Sequence, residues 1–311
     1  MQSLKGKHLT TVQDFSAEEI WQIFELAKEL KKKQKGSKSH ELLKGKSLAM
    51  IFQKPSTRTR VSFEVAMTQL GGHALFLPTS DLQLGRGETI ADTARVLSRY
   101  VQGIMARVYG HQDIIMMSQN STVPVINGLS DKFHPCQALT DLFTIWEKRG
   151  NLKDLTLTFV GDGDNNVTNS LLLLSARLGV NFKVGCPEDY KVKPEIMNLA
   201  KEDAEKKGVK IEVSYDPKEA VKNADVVYTD VWVSMGKEDQ EERIKNLSPF
   251  QVNKKLLSYT GKESWVMHCL PAHRGEEITN EVMDSPYSII LDQAENRLHV
   301  QKALLSLLMQ T

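Results

Sequence analysis

Three hydroxyls and two guanidinium groups are concentrated in one five-residue stretch, Ser56-Thr57-Arg58-Thr59-Arg60. The stretch lies between an apolar run at 48–52 and a run of helical spacing at 61–70, where a helix should begin. The first amides of a helix carry a partial positive charge and favour an anion. Because Arg58 adds a planar fork that matches phosphate oxygens, we predict a phosphate site. For any single residue here, a capped helix with solvated arginines is the alternative.

Other polar residues are expected near this site because they follow predicted strands. Ligands of open parallel sheets bind beyond the carboxyl ends of the strands. Arg107 ends one apolar run, and His134 and Gln137 follow the next. The loop at 79–87 holds Gln83, and a long polar loop of this kind is often functional.

Two more strand ends in the second half of the chain carry polar groups. Asp230 opens the segment 230–236, whose tryptophan and methionine we expect to be exposed beside a charged loop at 237–245. This segment is either a closing flap or ordinary loop packing. Cys269 and Leu270 follow another strand, where a cysteine seen alone more often packs than reacts.

Short apolar runs alternate with helical patterns and thereby predict the elements that position these residues. A capping box at Ser16 begins a first helix at 17–33, and a helix at 138–148 should bridge the two halves. We predict an α/β fold with two doubly wound domains, each a central parallel sheet flanked by helices. The predicted strands are 48–52, 73–77, 103–108, 123–127, 155–160, 181–185, 210–213, 226–229 and 265–267.

The turn Gly161-Asp162-Gly163 after a predicted strand matches two of the three glycines of a dinucleotide-binding fingerprint. The third position is Asn166, and no ribose-binding acid follows the next strand. We therefore favour a different polar ligand over a nicotinamide cofactor at this position.

The totals indicate a protein that acts on a small molecule. The chain has 311 residues, enough for about two domains, and its 40 basic and 39 acidic residues nearly cancel. Neither nucleic acid nor a membrane surface is therefore expected as a partner. Three cysteines without metal-ligand spacing indicate reduced thiols in a cytoplasm. We find no secretory signal at 1–8 and no apolar run near the roughly 20 residues of a membrane helix.

Four segments together carry a resemblance to a known family. The stretch 56–60 and the sequence His134-Pro135-Cys136-Gln137 resemble the aspartate/ornithine carbamoyltransferase superfamily. The segments 230–236 and 268–271 are similar to its ornithine branch, and the resemblance covers essentially the whole chain. It implies that carbamoyl phosphate and L-ornithine give L-citrulline and phosphate, with no metal and no organic cofactor.

The resemblance also implies a role for each matching residue. The expected catalytic residues are Cys269, Arg107, His134 and Arg297. Those expected to bind carbamoyl phosphate are Ser56, Thr57, Arg58, Thr59, Gln83, Arg107, His134, Gln137, Cys269, Leu270 and Arg297. Those expected to bind ornithine are Asn166, Asp230, Ser234 and Met235, with Asn165 as an alternative to Asn166. Cys269 either accepts a proton together with Asp230 or only shapes the pocket.

The resemblance further implies two domains and a shared assembly. Residues 1–134, with a C-terminal helix at 294–311 packing back onto them, should bind carbamoyl phosphate, and residues 135–293 should bind ornithine. Gln83 should reach a neighbouring subunit's site, which implies a homotrimer or a multiple of trimers in the cytoplasm. Alternatives are a transferase acting on putrescine or another amine and a non-catalytic phosphate-binding paralogue. Whether the enzyme works in arginine synthesis or breakdown is left open.

Overall fold

The computed structural model describes residues 3–36, 39–233 and 240–310. In the first half, short buried strands alternate with helices that cover the sheet. The elements in order are α1 (Ala17–Lys35), β1 (Ser47–Phe52), α2 (Thr57–Gln69), β2 (His73–Pro78), α3 (Ile90–Leu97), β3 (Gly103–Arg107), α4 (His111–Asn120), β4 (Val125–Leu129) and α5 (Pro135–Arg149).

The second half repeats this alternation and ends in a long helix. Its elements are β5 (Thr156–Val160), α6 (Asn166–Leu178), β6 (Asn181–Gly185), α7 (Pro194–Lys207), β7 (Ile211–Ser214), α8 (Pro217–Val221), β8 (Val226–Thr229), α9 (Gln240–Leu247), α10 (Lys254–Ser258), β9 (Trp265–His268), α11 (Asn280–Met283) and α12 (Ile290–Met309). Within the described ranges, every helix is too short or too polar to cross a lipid bilayer.

The strands form two parallel sheets, so the predicted α/β fold with two doubly wound sheets is confirmed. The first sheet has the order β2-β1-β3-β4, and the second has the order β7-β6-β5-β8-β9. In each sheet the chain starts at an inner strand, builds outward to one side, and then continues on the other side. The points at which the order reverses lie between β1 and β3 and between β5 and β8, where this class of sheet binds ligands.

The chain divides into two compact units that do not follow sequence order. The first unit comprises Met1–Phe143 and Glu295–Thr311, and the second comprises Thr144–Ala294. The division falls inside α5 and again inside α12, because each of these helices contributes residues to both units. The expected division at 134/135 and 293/294 is a prediction about ligand binding, which this geometric division does not address.

Apolar runs define the strands because both faces of each sheet are covered. Leu48 to Ile51 in β1 are fully buried, as are Val226 and Val227 in β8. Burial of apolar side chains contributes roughly 25 cal/mol per Å² removed from water, which makes such runs the most predictable part of the chain. The capping box at Ser16 is also confirmed, since its hydroxyl and the Glu19 carboxylate each accept a backbone N–H.

Two expectations about local structure were wrong. Residues 240–245 are not part of a charged loop, because Gln240–Leu247 forms the helix α9. The tryptophan expected to be exposed, Trp232, is 2% exposed. Its indole lies against Gly161, where an added Cβ would stand 3.5 Å from the indole nitrogen. The turn after β5 therefore covers Trp232.

Candidate active site

The N-terminus of α2 lies in the first unit, at the stretch where the sequence predicts an anion site. Ser56 is the N-cap, and its hydroxyl accepts a hydrogen bond from the amide of Thr59 at 3.2 Å. Capping by Ser56 fixes where the helix starts and directs its first amides past the end of β1. Thr57 is exposed, Arg58 is half-buried and Thr59 is buried, so the stretch extends from solvent into the protein.

Arg107 lies beside this turn because β3 is the neighbour of β1. In the sheet register it is opposite Phe52, and its carbonyl accepts the amide hydrogen of Gln53 at 2.8 Å. The pairing of β3 with β4 shifts between Ala106 and Arg107. Such an irregularity redirects a side chain at the end of a strand. Arg107 thus stands at the point where the strand order reverses.

Helices α5 and α12 bring three more of the expected residues together. Arg297 is buried, and its Nη1 donates to Gln137 Oε1 at 2.6 Å. Its Nη2 donates to the hydroxyl of Thr59 at 3.4 Å. Gln137 Nε2 in turn donates to the carboxylate of the buried Asp141 at 2.8 Å. Residues far apart in sequence are therefore joined around the first turn of α2.

His134 is the electrostatic centre of this cluster. Burial lowers its pKa well below 6.5, and the charges of Arg297, Arg107 and Arg58 lower it further. The imidazole is therefore neutral at neutral pH and can offer one donor without adding charge. Three guanidinium groups acting on one buried ring show that this pocket is strongly cationic. We call Arg58, Arg107, Arg297 and the His134 that they surround the arginine cluster.

Gln83 is outside the arginine cluster. It begins the short 3-10 turn Gln83–Arg86 and is exposed. Within the part of the chain that the structure describes, its side chain forms no hydrogen bond with the residues of that cluster. The first unit by itself does not give Gln83 a ligand-binding role.

In the second unit, Asp230 gathers the other expected residues at the ends of three adjacent strands. The thiol of Cys269, after β9, donates to Asp230 Oδ1 at 3.0 Å. Asn165, after β5, donates from its amide nitrogen to Asp230 Oδ2 at 3.1 Å. Asp230 is buried and Cys269 is half-buried. These residues stand at the reversal point between β5 and β8.

The two asparagines at 165 and 166 have different positions. Asn165 caps α6, since its side-chain oxygen accepts the amide hydrogen of Val167 at 2.7 Å. With its amide nitrogen on Asp230, both ends of the Asn165 side chain are engaged. Asn166 is the first residue of α6 and is half-buried. Ser234 and Met235, the other residues expected to bind ornithine, lie outside the described residues.

A buried pair that sequence analysis missed holds the segment after β9. His268 Nε2 lies 3.0 Å from Glu277 Oε1, and both side chains are fully buried. The amide of Leu270 donates to His268 Nδ1 at 2.8 Å, so the ring proton must be on Nε2 and point at Glu277. Leu270 itself has a φ of 61°, a conformation that requires such support. No local motif marks Glu277, because its partner is in another element.

The Gly161-Asp162-Gly163 turn is packed against the chain itself. Asp162 is buried and forms an ion pair with Arg243 of α9. A Cβ added at Gly163 would stand 2.6 Å from the carbonyl oxygen of Tyr190. The close approach that glycine allows here is thus to Tyr190, whereas a dinucleotide fingerprint uses it for a pyrophosphate.

The fold and these side chains define a class: α/β proteins with two doubly wound units, one of which has a cationic pocket at a helix N-terminus. The family model described as "Aspartate/ornithine carbamoyltransferase, carbamoyl-P binding domain" matches residues 7–147. The model of the same family's "Asp/Orn binding domain" matches residues 153–308. The chain belongs to the aspartate/ornithine carbamoyltransferase family.

Individual relatives are similar to almost the whole chain. The anabolic ornithine carbamoyltransferase of Pyrococcus furiosus is 59% identical over 308 residues, which cover 99% of this chain and 98% of the relative. That of Pyrococcus abyssi is 58% identical over 99% of this chain and 97% of its own. A solved structure of the P. furiosus enzyme has a TM-score of 0.96 at 58% identity, with 99% of each chain covered. The anabolic enzyme of Campylobacter jejuni has a TM-score of 0.89 at 44% identity, covering 96% of this chain and 97% of the other.

Proposed function

We propose that this protein is an ornithine carbamoyltransferase, which moves the carbamoyl group of carbamoyl phosphate to the δ-amine of L-ornithine. The products are L-citrulline and phosphate, and the reaction is a direct transfer that uses no metal or organic cofactor. The relatives described above are ornithine carbamoyltransferases, which supports this activity. The observation in the molecule that carries it is the arginine cluster, whose cations surround a neutral His134 beside the first turn of α2.

Carbamoyl phosphate is proposed to bind with its phosphate on the first turn of α2. The amides there and the fork of Arg58 match a phosphate in charge and geometry. The carbamoyl group and bridging oxygen are then left for Arg107, His134 and Arg297. The complete proposed set is Ser56, Thr57, Arg58, Thr59, Gln83, Arg107, His134, Gln137, Cys269, Leu270 and Arg297.

Ornithine is proposed to bind through Asp230, Asn166, Ser234 and Met235. The Asp230 carboxylate suits the α-ammonium group of an amino acid, whereas the α-carboxylate, which putrescine lacks, needs a hydrogen-bond donor. Because Asn165 is engaged in capping α6 and holding Asp230, we assign the ligand contact to Asn166. The side-chain amide of Asn166, the first residue of α6, can donate to the α-carboxylate.

The δ-amine must lose a proton before it attacks. For a lysine-like pKa near 10, deprotonation at neutral pH costs about 4 kcal/mol. Cys269 is suited to take this proton at Sγ, since its own thiol proton already points at Asp230 Oδ1. As Sγ takes the proton of the amine, the original thiol proton passes to the Asp230 carboxylate. Cys269 therefore does not have to be a thiolate before the reaction.

Attack on the carbamoyl carbon gives a tetrahedral intermediate with negative charge on its oxygen. Arg107, His134 and Thr59 are proposed to donate hydrogen bonds to it, and one fixed donor typically contributes roughly 3 kcal/mol. Collapse breaks the bond to the bridging oxygen and releases phosphate, whose growing charge is balanced by Arg58. Catalysis is thus positioning and electrostatics, without a covalent enzyme intermediate.

The proposed setting is a cytoplasmic homotrimer, or a multiple of trimers, in which Gln83 serves a neighbouring subunit's site. The exposure of Gln83 supports this assignment, since a residue reaching another subunit must leave its own. The three cysteines are free, which suits a reducing compartment. The anabolic name of the P. furiosus relative favours citrulline synthesis for arginine production.

The test is to mix purified protein with carbamoyl phosphate and L-ornithine, with putrescine and L-aspartate as parallel acceptors. Citrulline and phosphate from ornithine alone support the proposal. Product from putrescine would move the protein to an amine-specific transferase. Binding of carbamoyl phosphate without any product would support a non-catalytic paralogue. A titration with NAD tests the remaining dehydrogenase hypothesis, for which no binding is expected.

A further inference from the structure

Gln301, one helical turn after Arg297 in α12, faces the Arg297 guanidinium. Its amide oxygen accepts from Nη2 at 3.0 Å and from Nε at 3.2 Å, while its amide nitrogen donates to the Ser62 hydroxyl at 2.6 Å. The reverse amide orientation would put N–H groups against N–H groups, so the hydrogen bonds fix this one. Gln301 is fully buried and was not among the residues expected from the sequence.

Three neutral side chains accept hydrogen bonds from the Arg297 guanidinium and leave its positive charge in place. Gln301 accepts hydrogen bonds from Nε and Nη2, and Gln137 accepts one from Nη1 at 2.6 Å. The Thr59 hydroxyl accepts from Nη2 at 3.4 Å. All three acceptors are neutral. A buried guanidinium needs such acceptors, yet a carboxylate in the same place would reduce its attraction for an anion.

Gln301 also links the guanidinium to α2, which we call the anion helix. Ser62 belongs to α2, five residues after the Thr57 that begins it. The amide of Gln301 therefore spans from α12 to α2 and sets the distance between Arg297 and the first turn of α2. Together with Gln137 and Thr59, Gln301 fixes the plane of the guanidinium relative to the first turn of α2.

We propose that Gln301 is a positioning residue for carbamoyl phosphate binding: it orients Arg297 and keeps its charge available. This inference rests on the proposed function. Gln301 does not touch the substrate. Replacing it should therefore weaken the binding of carbamoyl phosphate and of inorganic phosphate, and leave the Michaelis constant for ornithine unchanged.

Two variants separate orientation from charge. Gln301→Met keeps the length and removes the acceptor oxygen and the N–H donor, so the KM for carbamoyl phosphate should rise roughly tenfold or more, as loss of a charge-assisted hydrogen bond implies. Gln301→Glu keeps the shape and the oxygen that faces Arg297, replaces the amide nitrogen by a second oxygen and adds a negative charge, so affinity should fall although the thermal midpoint is maintained or raised. If Gln301→Met fails to fold, Gln301→Glu still tests the inference.

Gln69→Met is the matched control. Gln69 Oε1 accepts a hydrogen bond from Lys302 Nζ at 2.9 Å. Lys302 is another buried cation of α12 and directly follows Gln301. A merely structural role would make the Gln69 and Gln301 variants lose thermal stability alike and keep wild-type KM values. Wild-type affinity for carbamoyl phosphate in Gln301→Glu, or equal losses of affinity in Gln69→Met and Gln301→Met, would overturn the inference.

Calorimetric titration with carbamoyl phosphate and with inorganic phosphate should accompany the kinetics. If wild-type protein binds neither, the proposed function itself fails, and the variants need not be compared. If wild-type protein binds both and the Gln301 variants bind them equally well, only the positioning role is lost.

Discussion

At the scale of single residues, two arginines of one helical turn have different environments. Arg58 contributes to the charge that acts on His134. Arg60 stacks on Phe76, with its guanidinium carbon 3.7 Å from the ring centroid, and pairs with Glu64 at 3.0 Å. Both were part of the stretch that predicted the phosphate site, but only Arg58 lies on its inner side. Sequence alone could not separate them, since the difference depends on which strand is adjacent.

Replacing each of these arginines by methionine should show the difference. Arg58→Met removes the fork that matches phosphate and should raise the Kd for carbamoyl phosphate by two orders of magnitude or more, about 3 kcal/mol for a charged hydrogen bond. Arg60→Met should leave this Kd within a few fold. Calorimetric titration measures both, and normal affinity in Arg58→Met would remove the anion helix from the proposed site.

Cys269→Ser tests the proton path through the Asp230 site. A hydroxyl of similar position gives up its proton far less readily than a thiol, so turnover with ornithine should fall by at least tenfold. Binding of carbamoyl phosphate, measured by titration, should change far less than turnover with ornithine, because the arginine cluster is intact. Unchanged ornithine kinetics would exclude proton transfer through Cys269 and leave it only the alternative role of shaping the pocket.

His134 makes stability depend on pH in a known direction. Burial and three arginines depress its folded-state pKa, whereas the unfolded chain should titrate near 6.5. Below pH 6.5 the unfolded state therefore binds more protons, and stability falls as the pH is lowered towards the folded-state pKa. The slope from this one group is at most about 1.4 kcal/mol per pH unit.

Urea denaturation at pH 7 and pH 5, in buffer without phosphate, measures this slope. His134→Asn should lose less stability between the two pH values than the wild type. His273→Asn is the control, since the side chain of His273 is exposed. Identical slopes in all three proteins would contradict a neutral buried His134.

At the scale of elements, what could be predicted depends on how the element is stabilised. The strands were predicted because apolar runs buried on both faces need no other information. Helix α9 was missed because residues 240–247 are largely charged and show no apolar stripe. It is held instead by side chains such as Arg243, whose Nε donates to the Trp232 carbonyl at 3.0 Å. Long-range pairs of this kind leave no local pattern.

In the candidate site, too, some residues could be predicted from local patterns, whereas others depend on long-range contacts. Residues at strand ends, such as Arg107 and Asp230, could be located from the sheet rule alone. Glu277 could not be predicted, because its role depends on a contact with another element. Gln301 had a usable signal, the four-residue spacing from Arg297 on a predicted helix, but the sequence could not show that both face the anion helix.

Gly185→Ala tests the close packing of α8 on β6. An added Cβ would stand 2.6 Å from the Cβ of the buried Ala220, a distance that requires a backbone shift. Overpacking of this kind typically costs 1–3 kcal/mol, so urea unfolding should show a loss of about that size. Gly110→Ala, where nothing lies within 4 Å of the added Cβ, should be nearly neutral. Equal effects of the two changes would contradict the tight packing.

At the scale of the whole molecule, the exposure of Gln83 leads to a prediction about assembly. If Gln83 serves a neighbouring subunit, Gln83→Ala and Arg58→Met each inactivate every site in a homotrimer. Mixed trimers should contain some sites with both native residues. Unfolding the two variants together and refolding them should therefore restore citrulline formation, whereas refolding either alone should not. A mixture that stays inactive would place both residues in the same subunit's site.

The division of the first unit into two chain segments determines the order in which the protein can mature on the ribosome. Residues 144–294 are all synthesised before Glu295–Thr311, which the first unit needs. Until then, Gly6 lacks its hydrogen bond to the Leu308 carbonyl, and Gly103 of β3 is not yet packed against Met309. The first unit therefore cannot complete its packing until residues 295–311 have been synthesised. Arg297 lies in this second segment of the first unit, so the arginine cluster can form only after residue 297 has been synthesised.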